Sequence, residues 1–286
     1  MKYGVNTFIW SEEFGPDSLA LLPRIKEAGF DGVQVPLFRP AEFPAAQVRK
    51  AFAANELECS VCAIFVDGQS LISEDAATRE VARRHIEDTI KATAEAGASF
   101  AGGPLYCPVG YLPGRRRTAD EWKWAVDGYQ SVGATLAAHG VTLGIEPLNR
   151  FETFFLNTAA DSAALCDRIG DPNVGVLFDT FHANIEEKDL GNAIRDLGRH
   201  LKHVHSCEND RGIPGSGHVQ WDGMFRALRD IGYDGWLTIE SFGFVGKLSA
   251  AVCIWRDIEV SPEAIAFEGV GFLKRKCASL SGFAGV

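Results

Sequence analysis

Positive charge is in short supply in this 286-residue chain. Its 28 lysines and arginines stand against 38 aspartates and glutamates, a formal net charge of −10. Such a balance argues against binding nucleic acid or an anionic membrane, and it tolerates a divalent cation and a neutral small molecule. No apolar run reaches the length of a membrane-crossing helix. The first residues, MKYGVNTFIW, begin a strand at once, without the apolar stretch of a secretory leader, so a cytoplasmic protein is expected. A disulfide framework is missing too: seven cysteines, an odd number, are scattered from Cys59 to Cys277, which fits a reducing compartment. The one close pair, Cys59 and Cys62, lies in a strand-like run (ECSVCAIF), where a spacing of three sends side chains to opposite faces. Packing is expected there. The turn GIPGSG at Gly212 to Gly217 lacks the lysine of a phosphate-binding loop and opens no helix, so it reads as a flexible lid. Arg115, Arg116 and Arg117, adjacent on a long loop, read as a solvated or interface patch.

Residues of the hydrophobic class make up 46% of the chain and charged residues 23%, ordinary values for a globular enzyme. Strand-like and helix-like segments alternate along it. Strands are expected at Lys2 to Ile9, from Gly32 (GVQVPLF), around Ser60 to Phe65, at Ser99 to Gly103, from Val141, from Val174, at Lys202 to His205 and at Trp236 to Ile239. Helices are expected at about Asp17 to Ala28 with Asp17 as cap, Pro44 to Asn55, Glu74 to Ala96, Ala119 to His139, Thr158 to Ile169, Asp189 to Leu201 and Trp221 to Ile231. Eight strands each followed by a helix predict a (β/α)₈ TIM barrel spanning residues 1–286 as one domain. Residues 246–277 would form a closing helical segment, and Ser279 to Val286 a ragged tail. A doubly wound α/β sheet is the competing fold, but it would gather ligand groups at one crevice.

The stretch VTLGIEPLNRFET, Val141 to Thr153, organises the candidate site. Val141, Leu143 and Ile145 alternate with Thr142, Gly144 and Glu146, so Glu146 stands at the end of a strand. VGVLFDTFH likewise ends at Asp179, LKHVHS at His205 and WLTIES at Glu240. Ionised groups at the ends of apolar strands need compensation for lost hydration, and one divalent cation would supply it for all of them. Three carboxylates and an imidazole suit Mn²⁺, Mg²⁺ or Co²⁺ better than a structural Zn²⁺. His203, one layer deeper, reads as a core histidine. Phe8, Trp10, Phe65, Tyr106 and Tyr111 are candidate walls for a bound ligand.

The segments IEPLNRFETFFLNT, VLFDTFHANIEE, HVHSCENDRGIPGSGHVQW and IGYDGWLTIESF resemble the ketose 3-epimerases of the D-tagatose and D-allulose type, within the xylose isomerase-like barrels. The similarity runs over essentially the whole chain. It implies metal ligands at Glu146, Asp179, His205 and Glu240, with one ion per chain, Mn²⁺ first and Co²⁺ or Mg²⁺ as substitutes. It implies substrate-binding groups at Glu152, His182 and Arg211. Glu146 and Glu240 would be the catalytic pair, one removing the C3 proton of a ketose to form a cis-enediolate and the other returning it on the opposite face. The metal would polarise the neighbouring carbonyl, and no nicotinamide would be needed. Departures from the pattern at Asn6-Thr7-Phe8, at Ser206-Cys207 and at Ser241 leave the preferred sugar open. An aldose-ketose isomerase, or an epimerase of a 3-keto sugar or related keto compound, would share the same metal and glutamates. A DNA-repair endonuclease of this fold is disfavoured by the acidic charge and the few histidines. A small neutral sugar as partner and a homodimer or homotetramer complete the expectation.

Overall fold

Eight short runs, most built from β-branched, small and aliphatic residues, pair in chain order, each with the next and the eighth with the first. The result is a closed, all-parallel barrel, the architecture expected from the sequence. The computed structural model describes residues 1–243 and 247–281. The first half runs β1 (Lys2–Asn6), α1 (Pro16–Glu27), β2 (Gly32–Pro36), α2 (Ala45–Ala54), β3 (Glu58–Cys62), α3 (Ala76–Glu95) and β4 (Phe100–Gly103). The second half runs α4 (Ala119–Ser131), α5 (Gly133–His139), β5 (Thr142–Ile145), α6 (Ala159–Ile169), β6 (Val174–Asp179), α7 (Thr180–Glu186), α8 (Leu190–Leu197), β7 (Leu201–His205), α9 (Trp221–Asp230) and β8 (Trp236–Ile239). Then come α10 (Lys247–Ala251), a π-helical turn (Ala264–Glu268) and α11 (Gly269–Ser281). No helix among the described residues is long and apolar enough to cross a membrane.

Several boundaries differ from expectation for identifiable reasons. β1 stops at Asn6, three residues early, because the Asn6 side chain accepts the Phe8 N–H and turns Thr7–Ile9 into a 3₁₀ turn. β3 begins and ends earlier than expected, at Glu58 and Cys62. Gly15 caps α1, with Pro16 opening the helix and Asp17 in its first turn, where a carboxylate suits the positive end of the helix dipole. The helix expected over Ala119 to His139 breaks at Val132, where Gly133 packs against the Asp171 carboxylate too closely for any side chain. Asp189 caps α8, which ends at Leu197; Gly198 (φ 48°) diverts the chain into a 3₁₀ turn before β7. In the closing segment, residues 252–261 are irregular. Ser279 to Ser281 belong to α11, while Gly246 and residues 282–286 lie outside the described residues.

Helices bury Leu22, Ile25, Val48, Phe52, Ile86, Ile90, Leu165 and Ile194 against the outer face of the barrel. Each such side chain contributes roughly 1.5–3 kcal/mol on burial. Inside the barrel, Phe100 stacks on His203 with ring centroids 4.3 Å apart, and His203 donates to or accepts from Thr238 Oγ1 at 2.8 Å. Gly102 and Gly144 make room for this plug, since a Cβ on either would come within 2.7 or 2.6 Å of the Phe100 ring. At the level of the plug, the pairing of β6 with β7 skips a residue: Val176 faces Leu201, but Leu177 faces His203 and Asp179 faces His205. This bulge leaves Lys202 unmatched and sets Asp179 level with His205.

Candidate metal centre and substrate cavity

At the C-terminal mouth of the barrel the ends of β5 to β8 bring Glu146, Asp179, His205 and Glu240 together, all four buried, with donor atoms within 4.8 Å of one another. His205 Nδ1 lies 3.5 Å from Glu146 Oε1, 3.8 Å from Asp179 Oδ2 and 3.4 Å from Glu240 Oε2. That nitrogen has no hydrogen-bond partner and no solvent contact. Burial disfavours the imidazolium of His205, yet the charge of Glu240 and the nearby carboxylates of Asp179 and Glu146 override it and hold the pKa well above the usual value. Burial also pushes Glu146 up to about 7, with His205 pulling the other way. The centre therefore demands positive charge at the point where Nδ1 meets the carboxylates. Arg211 supplies part of it: Nη1 donates to Asp179 Oδ2 (2.7 Å) and Glu240 Oε2 (3.1 Å). With His205 as a neutral ligand, three ionised carboxylates against one guanidinium would leave two negative charges, which a divalent ion would neutralise. The donor set and the orphaned nitrogen both fit a hard divalent cation.

Asp179 is also the N-cap of α7, its Oδ1 accepting the Phe181 N–H at 2.7 Å. Burial works against its charge, but Arg211 and His205 hold its carboxyl far below the usual range. The helix it starts was not expected from the sequence, and it carries His182. Asn149 donates its backbone N–H to His182 Nδ1 at 3.2 Å, and Arg211 Nη2, which can only donate, faces Nε2 at 3.3 Å, so both ring nitrogens meet donors. Burial, joined by the Arg211 charge, pushes His182 down to about 3. Glu152 receives the Asn149 side-chain N–H at 2.8 Å, and burial raises its pKa. Arg211 itself stands at φ 68°, between the rings of Phe181 and Phe242 at 4.2 and 5.0 Å.

A cavity of about 350 Å³ opens over the cluster. Glu146, Glu152, His182, Arg211 and Glu240 line its inner end. Phe8, Phe38, Phe65, Val66, Leu248 and Val252 line the rest. Arg211 is the one basic side chain on its wall among the described residues, and it is already engaged by two carboxylates.

A family model described as xylose isomerase-like TIM barrel matches residues 22–276. A probable ketose 3-epimerase of Synechocystis sp. is 35% identical, with 96% of each chain covered. A D-psicose 3-epimerase of Agrobacterium fabrum is 33% identical, covering 90% of this chain and 91% of its own. This chain belongs to the ketose 3-epimerase family. A solved structure of L-ribulose 3-epimerase superposes with a TM-score of 0.92 at 30% identity, covering 99% of this chain and 96% of that one.

Within this ketose 3-epimerase family member, all seven residues singled out from the sequence gather at one mouth. Other residues were placed differently. Of the candidate walls, Phe8 and Phe65 line the cavity, but Tyr106 is wholly buried beneath it, its hydroxyl donating to Glu146 O. Trp10 packs on Phe267 and Tyr111 on Phe154, away from the centre. Cys59 and Cys62 are both free thiols; Cys62 touches the cavity beside Phe8. Glu208, whose role the sequence did not reveal, receives the N–H groups of Asn209, Gly215 and Val219 and the indole N–H of Trp221. The GIPGSG turn is thereby tied down around a buried carboxylate rather than left free. Arg115 pairs with Glu121, and Arg117 with Asp161, so two of the three adjacent arginines brace the loop. Asn6, which the sequence marked only as a departure from the family pattern, and Gln34, which it did not mark, are wholly buried beside the ligands. Polar residues inside a strand give no signal of which face they take.

Proposed function

We propose that this protein is a metal-dependent epimerase of free ketoses at C3. The observation that carries the reading is the pair of buried glutamates, Glu146 from β5 and Glu240 from β8, flanking Asp179 and His205 below a cavity of sugar size. Glu146, Asp179, His205 and Glu240 would hold one divalent ion, Mn²⁺ first, with Co²⁺ or Mg²⁺ as substitutes. When bound, that ion would polarise the ketose carbonyl and acidify the C3 proton. One glutamate takes the proton from C3, leaving a cis-enediolate, and the other returns a proton to the opposite face; the epimer bound decides which acts first. Arg211, the neutral His182 and Glu152 orient the C1 to C3 oxygens. The relatives named for D-psicose and L-ribulose support six- and five-carbon ketoses, and the lack of an uncommitted basic group on the described wall favours sugars without phosphate.

Free thiols support a reducing compartment such as the cytoplasm. A homodimer or homotetramer is part of this reading, and light scattering would measure it. The reaction is tested in D₂O with Mn²⁺. The product epimer should carry deuterium at C3 alone, and Glu240→Gln, checked for metal content in the same sample, should lose turnover. Deuterium at C1 instead would make the enzyme an aldose-ketose isomerase.

A further inference from the structure

We propose that Asn6 and Gln34 are positioning residues that fix the tautomer of His205 and the orientation of Glu240. This rests on reading the Glu146, Asp179, His205 and Glu240 cluster as a metal site. The Phe8 backbone N–H can only donate, and it lies 3.0 Å from Asn6 Oδ1, which fixes the Asn6 amide. Asn6 Nδ2 must then donate, and its two hydrogens face Gln34 Oε1 at 2.8 Å and Glu240 Oε1 at 3.1 Å. Gln34 therefore presents oxygen to the centre. The second group at that oxygen is His205 Nε2, 2.8 Å away, which must carry the ring proton. The Nδ1 lone pair is left facing the three carboxylates, the one arrangement in which this imidazole can ligate a cation there. Asn6, Gln34 and His205 are all fully buried, so no water competes for these bonds.

The same relay aligns Glu240, whose Oε1 is held by Asn6 and whose Oε2 is held by Arg211. Gln34 contributes through its oxygen alone, because its Nε2 has no partner. A carboxylate at position 34 would thus lose no bond, whereas an aliphatic side chain would lose both. At Asn6 the logic inverts. Aspartate keeps the acceptor for Phe8 but sets an oxygen against Gln34 Oε1 and Glu240 Oε1. Gln34 would then turn its NH₂ inward, and the His205 proton would move to Nδ1, where the cation belongs.

The test measures Mn²⁺ binding to metal-stripped protein by the electron paramagnetic resonance of the free ion. It is joined by proton NMR of the Co²⁺-loaded form, in which a hydrogen-bonded ring N–H gives a shifted signal that disappears in D₂O. Wild-type protein should bind one Mn²⁺ and show that signal. Gln34→Leu should bind ten- to a hundredfold more weakly and lose the signal to exchange, and Gln34→Glu should restore both. Asn6→Asp should also bind more weakly, although an added negative charge alone would tighten a cation; it serves equally if Gln34→Leu fails to fold. Wild-type affinity in Gln34→Leu, equal losses in the Leu and Glu variants, or tighter binding in Asn6→Asp would overturn the relay while leaving the metal site standing. Absence of stoichiometric Mn²⁺ in wild-type protein would instead remove the metal reading on which the relay rests.

Discussion

Arg211 carries more of the site than any other single side chain. It is 5% exposed, sits between two aromatic rings, bridges Asp179 and Glu240, and adopts a left-handed backbone conformation that few residues with side chains tolerate. Its carbonyl is held by the Ser241 hydroxyl at 2.8 Å, which ties the loop after β7 to the end of β8. Removing the guanidinium should cost hydrogen bonds to charged groups of roughly 1.5–3 kcal/mol each, so Arg211→Ala should lower kcat/KM by about one to several orders of magnitude. Mn²⁺ should stay bound, because the variant leaves the carboxylates more in need of a cation. Steady-state kinetics beside metal analysis would check this, and kinetics matching wild type would return Arg211 to a purely structural role. Glu152→Ala should follow the same pattern. The four proposed ligands were legible because strand alternation pointed to the strand ends, whereas Arg211 and Glu152 were legible only through the resemblance of the loop segments. Asn6 and Gln34 were not, since a polar side chain in a barrel strand looks the same whether it faces its own plug or a helix.

Among the elements, the connection between β7 and α9 is the one whose sequence misled. GIPGSG has the composition of a mobile turn, yet Glu208 collects the N–H of Gly215 within it and those of Asn209, Val219 and Trp221 around it, and Gly217 lets the backbone pass within van der Waals reach of that carboxylate. Such anchoring depends on a carboxylate folding back on its own loop, a contact that no local pattern announces. Glu208→Gln would turn an NH₂ toward those donors. Leaving them unpaired should destabilise the protein by about 1–3 kcal/mol per buried donor. Burial alone would raise the Glu208 pKa, but the donated bonds from Val219, Trp221, Asn209 and Gly215 lower it on balance. A depressed folded-state pKa means that this stabilisation is fully present above the ordinary glutamate value and is lost as pH falls through the folded value. Thermal unfolding of wild type and Glu208→Gln should therefore differ most near neutrality and converge in acid. A gap that persists in acid would show that shape, not charge, holds the loop.

For the whole molecule, the excess negative charge at the mouth sets the expected response to chelation. EDTA-treated protein should unfold at lower temperature, and added Mn²⁺ should raise Tm progressively, by about 4 kcal/mol of stability when the ion reaches a thousand times its Kd. A Tm indifferent to both treatments would argue that Arg211, an imidazolium at His205 and a protonated Glu146 already balance the centre. The barrel itself was readable from its eightfold strand-helix rhythm, whereas the break at Gly133 and the bulge at Lys202 were not, because each answers to a distant neighbour. The proposed ligands all come from β5 to β8, while the amides that aim them come from β1 and β2, and the bond from Asn6 to Glu240 spans 234 residues. That division has a consequence for synthesis. On the ribosome the two aiming strands emerge first and wait for almost the entire chain before they meet what they aim. A nascent or truncated barrel can expose four ligating side chains without holding any of them in register, so selective capture of the ion belongs to the moment when β8 closes on β1.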